Sequence, residues 1–80
     1  MTHTLLASRA AKMLARIEFS MTETLVFLRP DGAVDSCPAH SPRAVALMGA
    51  DRGAGFTVVG IYRRGVGIEQ LLADIREAQL

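Results

Sequence analysis

Among its 80 residues the chain has one cysteine, Cys37, and that scarcity excludes more than any other feature of the composition. A single thiol cannot close an internal disulfide, so a disulfide-stapled secreted scaffold is ruled out, and it cannot supply the several thiolates of a zinc module. A reducing, cytosolic setting is the expectation. Long apolar runs are missing as well. No stretch approaches the roughly 18 residues needed to cross a bilayer, and none reads as the hydrophobic core of a signal peptide. Charge of one sign is also lacking: nine basic and eight acidic side chains leave a formal net charge of +1. That balance by itself points to neither nucleic acid nor an acid-seeking partner.

What is present is enough apolar material for a core. Half of the chain is hydrophobic, far above disordered compositions. The length makes one compact domain, 1–80, because a second core could not be built from what remains. A domain this small buries only about 60% of the surface its unfolded chain exposes, so a few kcal/mol of stability is expected unless something reinforces it. Dimerisation is one such reinforcement. The charges are unevenly placed: Arg9, Lys12 and Arg16 fall within residues 1–17 with no acid among them, and the remainder is slightly acidic. An acid-free, arginine-bearing start has the outward look of a mitochondrial transit peptide. It reads better as a folded helix.

Placed at 100° intervals, Leu6, Ala10, Met13, Leu14 and Ile17 share one apolar arc of about 100°, and Arg9, Lys12 and Arg16 group beside it. With Thr4 as cap, the pattern predicts an amphipathic basic helix from about Leu5 to Ile17. Translation from Met21 instead of Met1 would remove it. Phe19, Met21, Leu25 and Phe27 then recur at even spacing, predicting a strand that ends near Arg29. Pro30-Asp31-Gly32 is a turn: proline presets φ, aspartate suits the next corner and glycine takes positive φ. Ala33 to Cys37 returns as a second strand.

Ser41 as N-cap and Pro42 at the first helical position open a second helix with Ala44, Val45, Leu47 and Met48 on its apolar face. It should stop near Arg52, before the flexible-looking "DRGAG". Phe56 to about Arg63 reads as an inner strand, being apolar on both faces. Ile68, Leu71, Leu72 and Ile75 mark a closing helix. The order helix, strand, strand, helix, strand, helix implies a small α+β domain with an antiparallel or mixed three-stranded sheet packed with helices. A sheet apolar on both sides needs two covers. Either the first helix crosses to the second face or another copy of the chain lies on it, and a homodimer is the expectation.

The chemistry is sparse. In "SCPAHSPR", Cys37 precedes His40 by three positions and lies just ahead of a helix start, the two circumstances that lower a thiol pKa. Pro38 stands between them, no orienting Asn or Asp can be named, and a chain this short leaves little room for a substrate pocket. The stretch reads as punctuation between strand and helix, with Cys37 either packed or exposed as an intermolecular thiol. Cys37 and His40 supply two metal ligands where a closed zinc site wants four, and His3 with an acidic residue could complete the set only by coincidence of folding. Gly53-Ala54-Gly55 precedes a strand, so it lacks the helix N-terminus that a phosphate loop needs. No catalytic residue, metal or cofactor is expected. Tyr62, Arg63 and Arg64 form the preferred contact patch, since arginine forks bind carboxylates and phosphates and tyrosine with arginine is favoured at interfaces. Arg9, Lys12 and Arg16 are the second choice.

Size, a full α/β core, no catalytic constellation and an Arg- and Ala-heavy composition with one lysine, Lys12, together give the chain a general character. In kind it resembles the small anti-CRISPR proteins of phages and other mobile elements. That resemblance implies a protein partner in a type I Cas surveillance complex of the bacterial host, met in its cytoplasm, with DNA capture or nuclease recruitment blocked. The class shares no defining motif, so no site residue is carried over. The near-neutral charge departs from the acidic DNA mimics of that class and favours steric occlusion. The alternative is a small dimeric nucleic-acid-binding or regulatory protein that uses its basic first helix.

Overall fold

A computed structural model describes residues 2–49 and 55–80. The first helix, α1, runs Thr2–Phe19. It is longer at both ends than the apolar arc suggests, and Thr4 lies inside it instead of capping it. Ala10, Met13 and Ile17 are buried, with Leu6 and Leu14 packed beside them. Strand β1 follows at Thr24–Leu28 and is buried throughout. The even spacing that joins Phe19 and Met21 to this strand is coincidental: Phe19 ends the helix and Met21 belongs to the connector.

The turn forms as its residues dictate. Gly32 takes φ +87°, its N–H donates to the Arg29 carbonyl at 2.9 Å, and the Asp31 carboxylate accepts from the Ala33 amide at 3.0 Å. Strand β2, Val34–Pro38, pairs antiparallel with β1, placing Leu25 opposite Cys37 and Phe27 opposite Asp35. Helix α2, Pro42–Met48, starts at Ser41, whose hydroxyl accepts from the Ala44 amide at 3.2 Å. It ends at Met48, short of Arg52, and the residues 51–54 of the expected linker lie outside those described. Strand β3, Thr57–Tyr62, pairs antiparallel with β1 through a bulge opposite Val26 and Phe27. Helix α3, Ile68–Ala78, closes the fold.

The sheet order is β2-β1-β3, so β1 is the inner strand and β3 an edge. The inner position expected for the Phe56–Arg63 segment is thus corrected. On one face, Val26, Leu28 and Tyr62 pack against Ala10, Met13 and Ile17 of α1 and Leu71 and Ile75 of α3. On the other, Leu25, Phe27 and Cys37 pack against Ala44 and Leu47 of α2, with Phe56 and Val58 at the margin. Helix α1 does not cross over, and no second copy is needed to cover this face: α2 leaves Leu25 and Phe27 without solvent exposure. No helix among the described residues is long and apolar enough to cross a membrane.

Candidate interaction site

One end of the molecule gathers three chain segments: the C-terminus of α1, the connector 20–23, and the loop that follows β3. The connector is tied to itself. The Ser20 amide donates to the Ile17 carbonyl at 3.2 Å, ending the helix, and the Ser20 hydroxyl both donates to the Thr22 carbonyl at 2.7 Å and accepts from the Thr22 amide at 3.2 Å. This closed hydrogen-bond knot fixes the backbone and leaves Phe19 89% and Met21 87% exposed. Across from it, the loop after β3 is anchored by two acids. The Gly65 amide, at φ +97°, donates to Glu18 Oε1 at 2.9 Å, and Arg63 Nε donates to Glu23 Oε2 at 3.1 Å. His40 Nε2 stands 3.5 Å from the other oxygen of Glu23. An open cleft of about 360 Å³ lies between these groups, lined by Ser20, Met21, Thr22, Glu23, Arg63 and Arg64 with His40 at its side.

Of the sequence-predicted patch, Arg63 and Arg64 line this cleft and Tyr62 does not. Tyr62 is buried, and its hydroxyl donates to Asp74 Oδ2 at 2.7 Å. Burial, and then the Asp74 carboxylate, push its phenol well above the ordinary tyrosine range. It is a core residue of the α1–α3 face, and the contact role expected of it is withdrawn. Phe19, Met21, Glu18 and Glu23 are the residues that sequence reasoning misses. For Phe19 a signal exists: at 100° per residue it sits about 200° from Ile17, opposite the apolar arc.

The basic row of α1 is largely engaged within the chain. Arg9 Nη1 donates to the Gly32 carbonyl in the hairpin turn at 3.1 Å, and Arg16 Nη1 donates to Asp35 Oδ1 in β2 at 2.8 Å. Lys12 is exposed and has no ion pair among the described residues. Two of the three predicted basic contacts therefore clasp the helix to the hairpin. Asp35 also receives the Ser36 amide at 2.8 Å and lies 3.8 Å from Arg43, whose guanidinium sits 5.2 Å from the centre of the Phe27 ring.

Cys37 is buried among Leu25, Phe27, Ala44 and Leu47. Nothing hydrogen-bonds it to His40 among the described residues; the imidazole is exposed and turned to Glu23. Among those residues no group of three or more histidines, cysteines or carboxylates is placed to hold a metal ion. The arrangement at the cleft suits recognition: an exposed methionine on a hydrogen-bonded connector stands beside guanidinium groups with open donors. Against known proteins, the chain matches no family model, no curated protein and no solved structure.

Proposed function

We propose that the chain is a non-enzymatic protein-interaction module that engages its partner through the end bearing Phe19, Met21, Arg63 and Arg64. The observation that carries this reading is the exposure of Phe19 and Met21, 89% and 87%, on a backbone held by its own hydrogen bonds. Each such side chain is worth about 1.5–3 kcal/mol when fully buried against a partner. Aromatic, methionine and arginine side chains are the types enriched at interface cores, and a fixed backbone lowers the ordering cost of binding. The partner that the anti-CRISPR resemblance suggests is a subunit of a type I Cas surveillance complex in the bacterial cytoplasm, with occlusion of DNA or nuclease as the effect.

Two measurements test this reading. The full chain is expected to co-elute with a purified type I surveillance complex and to block its binding of target DNA, and Phe19→Ser/Met21→Ser is expected to lose both while keeping its circular dichroism. Absence of co-elution by the unaltered chain would remove the Cas partner, and equal capture of the double variant would remove this surface. A homodimer is no longer required for cover, since α2 fills that role. It now rests on exposed Val45, Met48 and Ile61 alone, and light scattering decides it. The nucleic-acid alternative is weakened by the engagement of Arg9 and Arg16.

A further inference from the structure

We infer that the cleft beside Met21 receives an acidic side chain of the partner protein, so that the recognised segment carries a carboxylate next to an apolar residue. This rests on the proposal that the same end is the binding surface. Arg63 uses only Nε on Glu23, at 3.1 Å, and its two terminal nitrogens have no partner among the described residues. Arg64 has no ion pair among those residues. A planar guanidinium held by Nε presents its outer edge as a fork, which matches the two oxygens of a carboxylate. Glu23 orients the fork and is itself shared between Arg63 and His40, so it does not saturate the basic groups around the cleft. The exposed Met21 in the cleft wall supplies the apolar contact for the residue next to that carboxylate.

Charge and shape select this occupant over two others. A second copy docked end to end has only Glu18 and Glu23 to offer these guanidinium groups, and both are already engaged within their own chain, with the Gly65 amide and with Arg63 and His40. An anionic membrane is a flat surface and does not enter a cleft of about 360 Å³.

The test is an amide-shift titration of the isotope-labelled full chain with the blocked peptide acetyl-Asp-Leu-Glu-Leu-Asp-amide. Saturable shifts are expected at residues 19–23, 40 and 63–65. Affinity should fall about tenfold for the Asn/Gln analogue of the peptide and for Arg63→Ala/Arg64→Ala, a change equivalent to 1.4 kcal/mol. Unsaturable shifts, or equal affinity for the neutral analogue, would overturn the inference. Flotation with phosphatidylserine vesicles in the absence of peptide binding would replace the protein partner with a membrane. Capture of the partner complex separates this inference from the broader reading. If Phe19→Ser/Met21→Ser abolishes it and Arg63→Ala/Arg64→Ala leaves it intact, the interaction surface stands and the acidic segment does not.

Discussion

At the scale of single residues, Asp35 shows how a polar contact is divided between opposing effects. Burial pushes its carboxyl up, but the Ser36 amide, the Arg16 hydrogen bond and the charges of Arg16 and Arg43 outweigh it, and the net position lies below the ordinary value of 3.8. A carboxylate with a lowered folded pKa contributes stability that is present above its unfolded value and is lost as pH falls through the folded one. Arg16 is half exposed, so solvent screens the pair and its worth is modest. Asp35→Asn is expected to cost roughly 0.5–1 kcal/mol at pH 7 and less at pH 2, since the contribution of the ionised carboxylate is lost as pH falls through its folded pKa. Urea unfolding at the two pH values checks it; an equal cost at both would show that the charge is not what matters.

Among the elements, β3 has the narrowest tolerance. A Cβ on Gly60 would sit 2.8 Å from the Tyr62 hydroxyl oxygen and 3.0 Å from the ring carbon that bears it. Because that hydroxyl is held by Asp74 at 2.7 Å, Gly60→Ala must either displace the ring or break the bond. A loss of about 1–3 kcal/mol is expected, against about 1 kcal/mol for Tyr62→Phe. Both substitutions disturb the same bond, so thermal unfolding of the double variant should show costs that do not add. The hairpin and the start of α2 are legible in the sequence because their punctuation is local: Pro30 to Gly32 and Ser41-Pro42 specify their own backbone. The end of α1 is not, since Phe19 and Met21 fit a period of two with Leu25 and Phe27 while lying outside the strand. Nor is the edge position of β3, because its apolar residues fall on both faces as in an inner strand, although Ile61 is exposed and Val58 and Val59 are only half-buried. The interaction site is only half legible. Arg63 and Arg64 announce themselves, but the acids that hold their loop, Glu23 and Glu18, lie 40 and 47 positions from their partners and leave no local signature.

For the molecule as a whole, three layers rest on one five-residue inner strand. Helix α1 is therefore integral. A chain beginning at Met21 would lack Ala10, Met13 and Ile17 from the core. Losing large buried side chains costs about 2–5 kcal/mol each, as much as a domain this small has in reserve. Residues 21–80 alone are expected to show no cooperative thermal transition, and a folded fragment would show α1 to be an accessory. The two sides of the sheet are unequal in cover: α1 and α3 protect one, and the short α2 protects the other. The thinner side is the one that holds Cys37, so the chain carries its own chemical marker on the layer most readily lifted. In the native protein the residue is only 8% exposed, so a thiol reagent reacts slowly with it and faster when α2 lifts, and the rate of that reaction reports how often this layer opens.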